Sequence, residues 1–373
     1  MTLRITEPRR TPRADGLVRH SAQVDGQELW FDVPSDRSGE LRGEAFLACV
    51  IIPAMARNSA VEVDPALPIC PDFLAGLLAY MQVVRFWSDE IGHRLCPVPI
   101  RAETEPPSPG IGTLSFFSGG VDGLYTLLEE RPRITETVFC HGVDFQLGSA
   151  LAAQATSRNR AWLADHDLPL LEMASNARFV GHHLGIGWNA HNGACLAGYG
   201  HALGAREILI ASGHAWSDFL GGGTHVLSDP LLSSAATRVH HHGFGPMRWQ
   251  KLLRVLAEPG VDELLRVCWQ DKDYNCGECE KCRRTMLDLH LLGVTSPAFP
   301  STARLTDVIP SRVHDWESAC YMRQTLCLAQ HVGRRDAEAV VQSRLRDWDR
   351  RQWLRRADTA FLGGALRRLK QRR

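Results

Sequence analysis

Between Leu17 and Val33 apolar and polar residues alternate on either side of Asp25-Gly26, the pattern of two strands joined by a tight turn. From Asp72 to Ile91 (DFLAGLLAYMQVVRFWSDEI) the apolar positions recur at helical spacing instead. The stretch ETEPPSPGIG is polar and proline-rich, can neither continue a helix nor join a sheet, and marks a domain boundary. From Thr113 the texture changes. TLSFF, ETVFCHGVDF, LPLLEMAS and REILIASG read as buried strands. GLYTLLEE, SALAAQATSRNRAWLADH and a segment over roughly Asn189 to Leu203 read as the helices between them. Strands separated by helix-length segments predict a parallel, helix-covered sheet. The chain after Thr306 reads as mostly helical, with an interruption at Gly363-Gly364. The expected fold is therefore α/β: a three-layer parallel-sheet domain over 109–293, a small α+β domain over 1–108, and a helical, basic extension over 294–373.

Composition narrows the class. The 373 residues suffice for two or three packed units. Lys plus Arg and Asp plus Glu both number 42, so net charge supplies no general attraction to nucleic acid or membrane. The distribution is uneven: from Arg344 to Arg373 eleven Lys/Arg face three Asp, with Trp348, Trp353, Leu354, Phe361, Leu366 and Leu369 among them. Packing back onto the protein is the ordinary explanation for that segment, and tRNA binding the less favoured one. No stretch approaches the ~20 apolar residues that span a bilayer. The polar N-terminus MTLRITEPRRTPRADG lacks the apolar core of a signal peptide. Eleven cysteines, four in one short window, suit metal chemistry in a reducing compartment better than a disulfide scaffold. A cytoplasmic protein without a membrane partner is expected. Homo-oligomerisation stays open.

The most informative short stretch is Ser115-Phe116-Phe117-Ser118-Gly119-Gly120-Val121-Asp122-Gly123. An apolar strand runs into two glycines and then a helix. Glycine lets the backbone turn sharply and approach a ligand without a Cβ in the way. The helix that follows begins with free N–H groups and partial positive charge, which stabilise an anion. Ser118 adds a hydroxyl donor, and Asp122 either caps the helix or holds a Mg²⁺ bridging phosphates. The second signal is Cys268-x7-Cys276-x2-Cys279-x2-Cys282. Four closely spaced thiolates suit tetrahedral Zn²⁺ and leave no open coordination position, so the metal is expected to be structural. Lys281, Arg283 and Arg284 offset the charge of such a site. A redox Cys pair and an iron–sulfur cluster are the competing readings.

SGGVD after an apolar strand resembles the SGGxDS signature of PP-loop ATP pyrophosphatases, which split ATP into AMP and pyrophosphate while adenylating a substrate. Gly123 stands where that signature carries serine. Together with the cysteines, the chain resembles the 7-cyano-7-deazaguanine synthase family over roughly residues 112–293. GWNAHNGACLAGYGHALGAREILIASG is similar to that family's Arg-Asn helix and following strand, with Trp188-Asn189 in place of Arg-Asn. WQKLLRVL, containing Lys251, is similar to the helix before the first zinc cysteine, and Arg283 and Arg284 sit where the family carries arginine. The resemblance implies ATP, Mg²⁺ and structural Zn²⁺ as cofactors. It places Ser118, Gly119, Gly120, Val121, Asp122, Gly123 and Asn189 at the nucleotide. The departures at 123 and 188 point to a different substrate.

Further candidates are His214 and Asp218, which follow the fourth strand, Asp229 in the same long loop, Lys251 and Arg284. Ligands of open α/β sheets bind outside the strands' carboxyl ends, which suits this loop. His141, His182, His183, His191 and His225 are read as solvated or hydrogen-bonded, and His240, His241 and His242 as surface or loop residues. Cys140 and Cys195 sit in apolar contexts and read as small core residues. The expected activity is AMP-forming ligation: adenylation of a small carboxylate or amide, then attack by a nitrogen nucleophile. The rivals are adenylation-dependent sulfur transfer, which needs a reactive Cys140 or Cys195, and a non-catalytic nucleotide-binding scaffold, made plausible by Gly123.

Overall fold

A computed structural model describes residues 2–270, 272–301, 304–310 and 312–363. The end of the basic segment, with Gly364, Leu366 and Leu369, lies outside them. The chain forms two compact units, Met1–Tyr274 and Asn275–Arg373. It is α/β, with one large, mostly parallel sheet in the first unit. The strands are β1 (Thr2–Pro12), β2 (Leu17–Val24), β3 (Gln27–Pro34), β4 (Ala60–Val63), β5 (Ile100–Arg101), β6 (Ile111–Phe116), β7 (Glu136–His141), β8 (Leu170–Ser175), β9 (Ala205–Ala211) and β10 (Arg238–His242). The helices of this unit are α1 (Glu44–Ala56), α2 (Pro71–Val84), α3 (Ser88–Ile91), α4 (Val121–Glu130), α5 (Ala150–Ala164), α6 (Ala177–His183), α7 (Trp188–Ala202), α8 (Arg248–Leu256) and α9 (Val261–Leu264).

Strand order is β10-β9-β6-β7-β8-β3-β2-β1-β4-β5. The four strands expected from Thr113 appear as parallel β9-β6-β7-β8, and β10, which is not among the expected strands, joins them in parallel beside β9. The expected hairpin appears as antiparallel β2 and β3 around Asp25-Gly26. The segments on either side of the proline-rich stretch contribute to one continuous sheet, and the division between units falls at Tyr274/Asn275. The seam is narrow: β3 meets β8 through only Phe31↔Ser175 and Asp32↔Ala174. Side chains extend it. Asn176 accepts from the Trp30 N–H at 2.9 Å and donates to Glu28 O at 2.6 Å, and Ser175 Oγ donates to Trp30 O at 2.8 Å.

Burial follows the strand period. Val138, Met173, Ile208 and Ile210 belong to an apolar core shared with Phe46, Ile51, Tyr80 and Tyr199, while the alternate Phe139 and Leu209 are equally buried outside that cluster. Both faces of the sheet are therefore dry, as parallel strands require. Helix α1 is buried from Glu44 to Met55, the pattern of a helix enclosed on all sides. It lies close against α7 at Gly198, where a Cβ would come within 2.7 Å of Ala45 O. The second unit contains α10 (Glu280–Leu292), α11 (Leu305–Val308), α12 (Trp316–His331) and α13 (Arg335–Leu362), the last two lying in the stretch after Thr306 that reads as mostly helical. Helix α13 ends against Gly363 at a φ of +55°, the left-handed C-terminal stop glycine permits. No described helix is long and apolar enough to cross a membrane.

Candidate functional site

From β6 the chain passes to β7 and β8 on one side, then returns to β9 and β10 on the other. The order thus reverses between β6 and β9, and the crevice outside their carboxyl ends is where open α/β sheets take ligands. The glycine turn lies there. Phe117 N–H still bonds Val138 O at 2.8 Å, and two residues later Gly119 adopts a φ of +81°. A Cβ at 119 would stand 3.0 Å from Asn159 Oδ1 and 3.3 Å from Leu264 O, so sterics as well as the dihedral select glycine. Gly119 O accepts the Arg266 N–H at 2.9 Å, which pins the turn. Gly120 opens α4, its carbonyl accepts from Leu124 at 2.9 Å, and no side chain caps the helix. The first amides of α4, at Val121, Asp122 and Gly123, are therefore not taken up by a cap. At Gly123 a Cβ would lie 3.2 Å from Phe116 O. The helix start therefore approaches the strand end closely at this position.

Lys251 fastens the site. It projects from α8, is 1% exposed, and donates to Asp122 Oδ1 at 3.1 Å and to Ser212 O at 2.6 Å. Burial pushes its ammonium pKa down, and the charges of Asp122 and Asp218 oppose that shift. Ser212 follows β9 and its N–H bonds His242 O, at the end of β10, at 2.8 Å. One buried cation thus ties together the loops after β6 and β9, beside the end of β10. Asp218 is buried and accepts from Ser217 Oγ at 3.1 Å, and His214 stands in the same loop, bonded through its own N–H to Ser212 Oγ at 3.3 Å.

Other expected site residues are placed differently. Asp229 is fully buried and turned inward: Oδ1 takes the His225 N–H at 3.1 Å and the Ser228 hydroxyl at 3.2 Å, and Oδ2 pairs with His241 Nδ1 at 2.8 Å. It organises the loop. Asn189 is exposed in the first turn of α7, where its carbonyl accepts the Gly223 N–H at 3.0 Å. Arg284 belongs to the second unit, with its guanidinium 3.4 Å above the Tyr321 ring centroid and Glu280 at 3.5 Å. The three histidines read as surface or loop form β10. Their sides alternate, His241 buried toward Asp229, His240 toward Glu207 at 3.2 Å and His242 toward Glu130 at 3.0 Å.

His225 sits among aromatic rings, 4.7 Å from Trp87, 4.7 Å from Phe219 and 5.6 Å from Phe244 between centroids. Burial, with His241 nearby, pulls its pKa down to about 4 and keeps it neutral. His182 and His183 are exposed, and His191 is buried with Nδ1 on Gly187 O at 3.0 Å. Burial pushes the Cys140 thiol up, and burial beside Cys49 does the same for Cys195, so neither is poised as a thiolate. Two residues that sequence reading does not select also border the turn. Arg266 is 2% exposed, with its guanidinium 3.5 Å above the Phe145 ring. Asn159 is wholly buried on α5, in a stripe with Ala152, Ala155, Trp162 and Leu163. A carboxamide on a face otherwise made of apolar residues and Thr156 is the signal the sequence offers for it.

The thiols of Cys268, Cys276, Cys279 and Cys282 all lie within 4.8 Å of one another. Tetrahedral Zn–S bonds of about 2.3 Å would set sulfur atoms roughly 3.8 Å apart, so the group could hold a metal such as zinc. Cys276 and Cys282 sulfurs stand 4.0 Å apart, twice a disulfide length. Main-chain N–H groups point at the sulfurs: Gln270 to Cys268 at 3.3 Å, Glu278 and Cys279 to Cys276 at 3.4 and 3.3 Å, and Cys282 to Cys279 at 3.5 Å. Such donors stabilise thiolates, the form that binds metal. No family model matches this chain, and no curated protein does.

Proposed function

We propose that this chain is an AMP-forming ligase of the PP-loop type, a three-layer HUP-like domain that uses ATP to adenylate a small carboxylate or amide. The observation that carries the reading is the uncapped start of α4 behind Gly119-Gly120 at the strand-order reversal, with Lys251 fixed beside it. Main-chain amides at Val121, Asp122 and Gly123, with Ser118 Oγ, would hold the phosphates and meet the charge that develops as the α–β bond breaks. A substrate oxygen attacks the α-phosphorus and pyrophosphate leaves. A nitrogen nucleophile then adds to the activated carbon, loses a proton, and expels AMP. Asp122, whose Oδ1 takes the Lys251 ammonium, would offer its carboxylate to Mg²⁺, which would supply neutralisation of phosphate charge. The four cysteines would hold Zn²⁺ in a closed, structural role, and the compartment such thiols suit is the cytoplasm. The raised thiols of Cys140 and Cys195 argue against sulfur transfer.

ATP–pyrophosphate exchange, screened over candidate acids and amides, tests this directly. We expect one acid or amide to support exchange and Ser118→Ala to slow it by roughly tenfold or more, the loss of a charge-assisted hydrogen bond. Nucleotide binding without exchange for any acceptor would return the chain to the scaffold reading.

A further inference from the structure

Asn159 is 0% exposed, and neither its Nδ2 nor its Oδ1 has a hydrogen-bond partner. A buried carboxamide with both ends idle is costly, and an apolar side chain of the same size would remove the cost. Its neighbours on the buried face of α5 are Ala152, Ala155, Thr156, Trp162 and Leu163; Thr156 satisfies its hydroxyl on Ala152 O, whereas Asn159 has no such outlet, so packing here is served by an apolar side chain. The carboxamide abuts Gly119, the left-handed point of the turn, where a Cβ would come within 3.0 Å of Oδ1. A half-turn of the amide exchanges its oxygen and NH₂ group. Beside it begin the uncapped amides of α4, all donors.

We infer that Asn159 is a ligand-binding residue, its Nδ2–H donating to an oxygen of a condensed phosphate held at the glycine turn. This rests on the nucleotide reading above and adds a residue to it. The ligand class follows from the donors. An array of N–H groups at a helix start calls for a polyanion with several oxygens, and the carboxamide supplies one more donor without adding charge. Binding of the ligand then relieves the cost of the idle amide.

The test uses the full chain with its metal, titrated calorimetrically with inorganic pyrophosphate and with ATP, each with magnesium, alongside thermal unfolding of the ligand-free protein. Asn159→Leu is expected to raise Tm by about 2–4 °C, since an unsatisfied buried group is gone, and to weaken pyrophosphate binding roughly 10- to 100-fold. Asn159→Asp keeps the shape, replaces the donor with a carboxylate, and should weaken binding at least as much. A Tm that falls together with binding in Asn159→Leu makes the residue structural and overturns the inference, as does undiminished binding in either variant. A wild-type chain that binds neither probe removes the nucleotide reading itself, whereas wild-type binding with unaffected variants removes only the role of Asn159.

Discussion

The two halves of the great sheet treat buried polar groups in opposite ways. Before residue 109 the buried ionisable side chains His20, Asp32 and Glu44 each find a partner. His20 Nε2 meets Ser38 Oγ at 2.9 Å, Arg19 grips Asp32 through two bonds of 2.7 Å, and Glu44 accepts the Cys70 N–H at 2.7 Å. After it, Ser115 Oγ, both amide atoms of Asn159, and the Nε2 atoms of His225 and His241 are buried without one. An idle buried group costs about 1–3 kcal/mol, which folding alone does not explain. In the first half these charged groups serve as structural ties. The second carries unspent hydrogen-bonding capacity, and Asn159, His225 and His241 belong to the elements that converge on the strands' carboxyl ends.

The largest expected effect contrasts buried cysteines. Cys282→Ala should lower Tm by more than about 10 °C and release metal on elemental analysis, because one thiolate in four is lost. Cys49→Ala, in the apolar core, should cost only about 1–2 kcal/mol in urea unfolding. Similar modest losses in both would reduce the knuckle to ordinary packing. Next comes a pair of left-handed glycines. Gly26 has a φ of +79° and open space around it, so Gly26→Ala should cost about 1–2 kcal/mol and leave pyrophosphate exchange intact. Gly119→Ala adds the clash with Asn159 and Leu264 and should abolish exchange, by roughly 100-fold or more. Equal exchange in the two variants would erase the distinction between the halves.

The smallest effect is in pH. Burial pulls His20, helped by Arg10, and His191 down to about 4 from 6.5. The unfolded chain therefore binds protons that the fold refuses between those values. Stability should be steady above pH 6.5 and fall as pH drops toward 4, by up to about 1.4 kcal/mol per pH unit per residue. His20→Gln should flatten that slope in urea titrations at several pH values without touching exchange.

Much of this was written locally. The apolar runs of β6, β7, β8 and β9 stand between helix-length segments, and the Leu17–Val33 alternation gave β2 and β3. The glycine turn and the cysteines announce themselves because their chemistry is compressed into a few consecutive residues. β10 does not, since Arg238-Val-His-His-His has one aliphatic residue, and its alternation resides in distant acids, Asp229 inward and Glu207 and Glu130 on the other side. Asn159 and Arg266 come to the turn from other elements, so no window of sequence shows them together. Nor does hydropathy encode the seam of β3 with β8, where Ser175 and Asn176 complete with side chains what two residues of ladder begin.

That seam bears on how the protein can be handled. A fragment beginning at the proline-rich stretch would unpair the end of β8 at Ala174 and Ser175 and remove the partners of the Ser175 and Asn176 side chains, opening that end to a strand from another molecule. It would also strip α1 from the close approach at Gly198, leaving an apolar flank of α7 in water. The N-terminal segment thus covers surfaces that would otherwise promote aggregation, and trimming the chain to its glycine-turn half should yield precipitate instead of a folded, minimal domain.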